Sequence, residues 1–518
     1  MKRIVAFSAL ALSLGLRVAA SSSHPSPTGP RREGGAGGVR VRPGLSVRRP
    51  GAYLAPVRGP GARRPPLGVR FMKRIVAFSA LALALGLTVA ASAAPPPDLA
   101  LSAEDRAALV AAFAPAGRSA PAEAESDAGL WSAVEDLART ELGQRLRPSE
   151  IDPLWAEAAP VRSIGTEMVA AWSSGRLAEW AANLSPRAPA YAALMSARLR
   201  YAGIVQRGGW APLPDGLRLR PGDVGDPVLA LRQRLEIEGD APPPAERPER
   251  FDRPLKQALA GWQARNGLSA DGVLGPVTLA RLNVPAAERL GQIEANLERW
   301  RWLPRPLPQD RLEIDTGGAN GVLYRAGQPV HAFRVIVGSV RDPTPLFTSQ
   351  VHSLVLNPPW NVPERIAREE LLPREASEPG YLARNGFIQL EGRLQQTPGP
   401  MSALGQVKFD LNSPFGVYLH DTPGRAAFRL SERHLSHGCM RVDKPLVLAD
   451  LLLAPQGRGG APLRADLATG QTLRVALARP VALVVTHWTV RVEPDGQVGF
   501  LDDVYGWDAR LALALSGM

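Results

Sequence analysis

The string HLSHGCMRVDKP at 434–445 contains Cys439, the single cysteine of a 518-residue chain, two positions after His437. A lone thiol has no internal disulfide partner, so it is either a small buried hydrophobe or a chemical reagent. As a reagent it must ionise. At an unperturbed pKa of about 8.5 only a few per cent is thiolate at neutral pH, so a base is needed. His420, His434 and His437 are the histidines near it in sequence. His437 is two residues from the thiol and is placed to shape its environment, and His434 reads as a loop residue. His420 ends the extended run GVYLH, and a strand-turn-strand return through 439–442 would bring it to face Cys439 across a sheet. The same four residues are chemically able zinc ligands. A His-x-x-His-x-Cys cluster on one tight segment matches no common ligand spacing, however, and no acidic general base accompanies it.

A sheet has to hold these groups, and the sequence supplies one. From about 311 the apolar period is two: RLEID, GVLYRAGQPVHAFRVIVG and HSLVLN alternate or run apolar between glycine turns. IAREELLPR and YLARNGF make 363–405 a helical excursion inserted into that sheet, which resumes at FGVYLHD. Asp443, with Pro445 two places on, opens an apolar helix through Leu453, and short strands follow around VALVVTHWTV and GQVGFL. The expected fold is a multidomain α+β chain. Its β-rich domain spans 286–485, with a C-terminal segment at 486–518.

The upstream half is helical. LWSAVEDLARTEL and RAPAYAALMSARLRYAGI place apolar residues at three- and four-residue spacing, giving an α-helical scaffold domain over 128–216, preceded by an Ala/Pro-rich flexible linker at 94–127. Over 217–285 three short helices follow. Asp226 is the expected N-cap of the first, with Pro227 after it, Leu255, Leu259 and Trp262 line the second, and Gly275-Pro276 opens the third.

Composition, 45% apolar and 21% charged, suits a soluble chain with room for two to four domains. The net charge of +12 would ordinarily raise nucleic acid as a partner, but residues 1–71 hold thirteen Lys or Arg and one acid, Glu33, which is the whole excess. The rest is balanced, and no nucleic acid is expected. MKRIVAFSALALSLGLRVAA at 1–20 recurs as MKRIVAFSALALALGLTVAA at 72–91, each with a Lys-Arg start and a short apolar run. The second is the better export signal, because Thr88 replaces Arg17 and an Ala91-Ser92-Ala93 cleavage site follows. The expectation is a signal peptide at 72–93 behind a spurious or disordered extension at 1–71, a mature protein in the periplasm, and no membrane span after cleavage.

LRPGDVGDPVLALRQRL with FDRPLKQALAGWQARNGLSADGVLGPVTLARLN resembles the three-helix peptidoglycan-binding domain along its whole length, departing from it in a Pro-rich insertion at 241–249 and in Trp262, where Phe is commoner. His420 with Ser436-His437-Gly438-Cys439 resembles the signature of the YkuD-domain L,D-transpeptidases. NLERWRWLP, TPLFTSQ, LNPPWNVP, ALGQVKF and GVYLHDTP are similar to the large periplasmic subgroup of that family, over about 128–507. Arg441 stands where smaller members have Asn, and the large subgroup has Arg there. The resemblance implies two-step acyl transfer on peptidoglycan stems: Cys439 as nucleophile, His420 as base, and backbone N–H groups at Gly438 and Cys439 as oxyanion donors. It also implies a backbone carbonyl near Asp421 orienting the imidazole. Arg441 and Ser436 are then substrate contacts, Tyr418 and Trp360 pocket walls, and His437 a shaping residue. No cofactor or metal is implied. Stem peptides and glycan are the expected partners, and carbapenem-type β-lactams the expected inhibitors. L,D-carboxypeptidase activity, D-amino acid exchange and a non-catalytic wall-binding role remain the alternatives.

Overall fold

The computed structural model describes residues 95–96, 98–156 and 162–517, so the readings of 1–71 and 72–93 lie outside it. In chain order the strands are β1 (Arg311–Asp315), β2 (Asn320–Arg325), β3 (Gln328–Gly338), β4 (Phe347–Leu356), β5 (Trp360–Asn361), β6 (Phe387–Leu390), β7 (Arg393–Gln396), β8 (Val407–Leu411), β9 (Leu419–His420), β10 (His434–Ser436), β11 (Met440–Val442), β12 (Leu473–Thr486), β13 (Val490–Val492) and β14 (Val498–Phe500). Nine of them form one sheet in the order β10-β3-β11-β9-β8-β4-β12-β1-β2. Because β2 also pairs with β3, the ladder returns on itself and covers the outer edge of β2, leaving the short β10 as the terminal strand. Period-two alternation builds the interior: Val475, Leu477, Val481, Leu483 and Val485 of β12 meet Leu312 and Ile314 of β1 and Leu354 and Leu356 of β4 in one buried cluster. Leu448 and Leu452 join it from the helix Pro445–Leu453. That helix starts at Pro445 after Lys444 in the left-handed region, two residues later than Asp443 suggests.

The insertion holds the expected helical turns between Glu364 and Arg384, but it also contains a hairpin, β6–β7, which pairs with β5 in a separate three-stranded sheet. Glu391 and Gly392 both take positive φ at its tip, as a two-residue turn of this hand requires. With only FIQL and RLQQ either side, the period was too short to read.

The described part of 94–127 is not a loose linker. It contains a helix, Ala103–Ala111, capped by Ser102, whose hydroxyl accepts from the Asp105 N–H at 3.0 Å. Leu109 and Phe113 of this stretch are buried with Trp131, Val134 and Met168, so apolar packing outweighs its Ala/Pro content. The helix Ala286–Arg301 packs on Pro189–Gln206 and on a C-terminal helix, Trp507–Ser516, that the sequence reading did not anticipate.

The three helices Asp226–Ile237, Arg253–Arg265 and Pro276–Leu282 are present, with Gly225 rather than Asp226 as the first cap. Trp262 faces inward: its Nε1–H donates to Glu238 at 3.0 Å, and Glu238 also accepts from Tyr201 at 2.8 Å and Arg234 at 2.8 Å. It is therefore a core residue and not a docking side chain. Trp262→Ala is expected to cost about 3–5 kcal/mol of stability, as for other buried large-to-small changes, read as a lower denaturation midpoint. A variant as stable as the parent would take Trp262 out of the core. Among the described residues no helix is long and apolar enough to cross a membrane.

Candidate active site

The register of three short strands places the predicted groups on one face. β11 runs parallel to β9 with Met440 opposite Leu419 and Arg441 opposite His420, and β8 lies antiparallel with Lys408 opposite His420 and Phe409 opposite Leu419. Paired residues share a face, and neighbours along a strand alternate. Met440, Val442, Leu419 and Phe409 therefore enter the core, while Arg441, Tyr418, His420 and Lys408 alternate to the other side, and Cys439, just before β11, is half-buried at the border of that core. The direct neighbour of His420 across the ladder is Arg441, so Cys439 stands diagonal to the imidazole, one step before β11. His420 and Cys439 thus face one another diagonally, across parallel strands rather than through a strand-turn-strand return.

The His420 ring is fixed from behind. Its Nδ1–H donates to the backbone carbonyl of Asp421 at 2.5 Å, which leaves Nε2 as the free basic nitrogen. The Asp421 carboxylate is occupied elsewhere: it accepts from the N–H groups of Gln406 at 2.8 Å and Thr422 at 2.6 Å, and from Arg425 at 2.8 Å. Gly405, at φ +58, is required there because a Cβ would lie 2.4 Å from that carboxyl. Burial, and then the charge of Arg441, push His420 down to about 3, so the imidazole is neutral.

Burial likewise pushes the Cys439 thiol up, opposed in part by the neighbouring backbone N–H and hydroxyl of Tyr418. Tyr418 sits edge-on to His420 with centroids 5.6 Å apart, and the Trp360 side chain neighbours its hydroxyl. The described hydrogen bonds include none directly between Cys439 and His420. The resting pair is a neutral thiol beside a neutral imidazole.

Arg441 is half-buried, and no described hydrogen bond or ion pair engages its guanidinium. Its charge faces the thiol and is open to an anion. Lys408, which the sequence reading passed over, stands 4.5 Å from the Tyr418 ring centroid and 2.9 Å from Asp410. The alternation Val407-Lys408-Phe409 was the signal that could have found it.

The turn bearing the thiol is shaped by the remaining predicted residues. Gly438 has φ +96, a conformation other residues rarely adopt. Ser436, expected to touch substrate, is buried and donates its hydroxyl to the Cys439 carbonyl at 2.6 Å, so it builds the turn and presents no free hydroxyl. His437 points away to Glu370 of the insertion, with Nε2 2.6 Å from a carboxylate oxygen. Arg365 to Asp342 and Arg341 to Glu369, each at 2.6 Å, tie the same insertion to the 339–346 loop. His434 lies in β10 rather than a loop, with Nε2 2.8 Å from the Thr316 carbonyl and Nδ1 against Glu432. His434 and His437 therefore each have their own carboxylate, apart from the thiol, and among the described residues no group of three or more His, Cys, Asp or Glu could hold a metal.

Comparison with known proteins gives two family matches and one curated relative. Residues 309–475 match the YkuD family model, described as an L,D-transpeptidase catalytic domain, and 224–282 match one described as "Putative peptidoglycan binding domain". A Haemophilus influenzae protein named "Putative L,D-transpeptidase" is 33% identical over 212 residues, which is 37% of this chain and 43% of that relative. The chain thus spans less than half of the curated relative it matches. Among solved structures, the L,D-transpeptidase of Xylanimonas cellulosilytica is 17% identical with a TM-score of 0.19, covering 52% of this chain and 98% of that one. The L,D-transpeptidase of Mycobacterium smegmatis is 15% identical with a TM-score of 0.21, covering 35% and 59%. Superpositions with scores this low add nothing to the sequence matches. On those matches, residues 309–475 are similar to the YkuD L,D-transpeptidase catalytic domain, joined in one chain to a segment, 224–282, that is similar to a peptidoglycan-binding domain.

Proposed function

We propose that the protein is a periplasmic L,D-transpeptidase that forms 3→3 cross-links in peptidoglycan through a thioester on Cys439. The observation that supports this most is the shared face of Cys439, His420, Tyr418 and the unpaired Arg441. In the first half-reaction Cys439 Sγ attacks the carbonyl of the L-centre of diaminopimelate in a tetrapeptide stem as His420 Nε2 takes the thiol proton. The tetrahedral oxyanion faces the backbone N–H groups of Gly438 and Cys439, neither of which has a described partner. Collapse breaks the bond to the terminal D-Ala, whose nitrogen receives the proton from His420, and leaves the thioester. In the second half-reaction His420 takes a proton from the side-chain amine of another stem as that amine attacks, and the thiol is restored.

Arg441 holds a substrate carboxylate through its planar fork, and Tyr418 with Trp360 walls the reacting carbonyl. The module at 224–282 keeps the enzyme on the polymer and so raises the local concentration of stems without taking part in bond making.

Mass spectrometry of muropeptides tests this reading. Purified protein incubated with tetrapeptide-rich sacculi should yield 3→3 dimers and free D-Ala. Tripeptides without dimers would identify a carboxypeptidase, exchange of the terminal residue would identify D-amino acid transfer, and unchanged muropeptides would overturn an enzymatic role.

A further inference from the structure

The two peptide groups flanking Cys439 are both pinned, by different residues. Ser436 holds the carbonyl of Cys439 itself, and the carbonyl of Gly438 accepts from Thr344 Oγ1 at 2.8 Å. Thr344 is fully buried, and its hydroxyl oxygen accepts in turn from the Gly338 N–H at 2.8 Å, so the hydroxyl is a bridge between the end of β3 and the thiol-bearing turn. A third residue fixes the bridge. The Tyr505 hydroxyl donates to the Gly338 carbonyl at 2.6 Å and lies 3.5 Å from the Thr344 N–H. Tyr505 lies beyond the 309–475 family match, and its ring is locked between His487, stacked at 5.3 Å, and Trp507 at 4.6 Å.

In a trans peptide the carbonyl and the following N–H point in opposite directions from one plane. Holding the Gly438 carbonyl therefore sets the direction of the Cys439 N–H. That N–H and its neighbour at Gly438 have no described partner. At Gly438, with φ +96 and no Cβ, the peptide would otherwise have wide freedom to rotate. An oxyanion donor stabilises the transition state only if it is aimed before the charge develops.

We propose that Thr344, clamped by Tyr505 from the C-terminal segment, is the positioning residue that aims the Cys439 N–H at the developing oxyanion. This inference rests on the transpeptidase reading above. It assigns the C-terminal segment a part in the chemistry, although that segment supplies no group that touches substrate.

The test compares two reactions of the same sulfur. Alkylation of Cys439 by iodoacetamide displaces iodide at a saturated carbon and develops no carbonyl oxyanion, whereas acylation by a carbapenem-type β-lactam does. Thr344→Val keeps the shape and removes the hydroxyl. It should slow acylation by about 10²–10³-fold, the usual loss for one oxyanion donor, while alkylation stays within about twofold of the parent by the same reasoning. Thr344→Ser should restore acylation, and Tyr505→Phe should produce a smaller loss of the same selective kind.

Equal losses in both reactions would make Thr344 a general support of the fold and overturn the assignment. So would unchanged acylation in a folded Thr344→Val protein. The parent protein separates the two levels of failure. Absence of any Cys439 adduct in the parent overturns the transpeptidase reading and this inference with it, while a parent adduct whose rate the valine leaves untouched overturns the inference alone.

Discussion

Cys439→Ala is expected to abolish covalent labelling by a carbapenem-type β-lactam and to eliminate 3→3 dimers, with no change in far-UV circular dichroism. The effect should be complete because no second thiol exists in the chain. The nearest hydroxyl in the turn, that of Ser436, is buried and already donated to the Cys439 carbonyl, so it cannot take over as nucleophile. Folding should survive because Cys439 only borders the core and is half-buried, and the residues that fill the interior are its neighbours Met440 and Val442. Intact-protein mass spectrometry reads the adduct directly. A residual adduct on the alanine variant, in a protein whose spectrum matches the parent, would remove Cys439 from the chemistry.

Much of this site was legible because alternation is a local property. In VKF, YLH and CMRV every second residue is apolar, and that alone separates Lys408, Tyr418, His420, Cys439 and Arg441 from the core-facing Phe409, Leu419 and Met440. The register between the strands was not legible, since it depends on β9 running parallel to β11, and that offset puts Arg441 rather than Cys439 beside His420. Roles came from resemblance and not from pattern. Ser436 shows the limit: its place in the signature suggested substrate, and its burial makes it a strut of the turn. Glu370 and Tyr505 left no sequence signal, and Thr344 showed only as the first residue of TPLFTSQ with no role attached, because each acts through a contact spanning 67 residues or more, fixed only once the insertion and the C-terminal segment have folded back. The hairpin β6–β7 and the helix Ala103–Ala111 were missed for a different reason. One is too short for its period to show, and the other has an alanine-rich composition whose burial depends on partners elsewhere in the scaffold.

His420→Gln is expected to slow acylation by about 10²–10⁴-fold near neutral pH, the usual contribution of a general base, and the loss should depend on pH in a way that reports how the base works. With the imidazole pushed down to about 3 and the thiol raised above its ordinary value, the parent presents a neutral pair across the working range. Its acylation rate should therefore be flat from pH 4.5 to 8, without an inflection at the ordinary histidine value near 6.5. The glutamine variant can react only through spontaneously formed thiolate, so its rate should climb about tenfold per pH unit over the same range, and the gap to the parent should close as pH rises. Stability should move with the same ionisation. Between about 6.5 and about 3 the unfolded chain binds a proton at residue 420 that the folded chain does not. The parent accordingly loses stability as pH falls through that window, a loss the glutamine variant escapes. Urea midpoints at pH 7 and pH 4.5 for the two proteins read this difference. An acid limb near 6.5 in the parent, or a rate ratio that does not change with pH, would mean that the imidazole is solvated and charged at rest. The site would then work as a preformed thiolate–imidazolium pair, against the burial and the Arg441 charge that the fold imposes on His420.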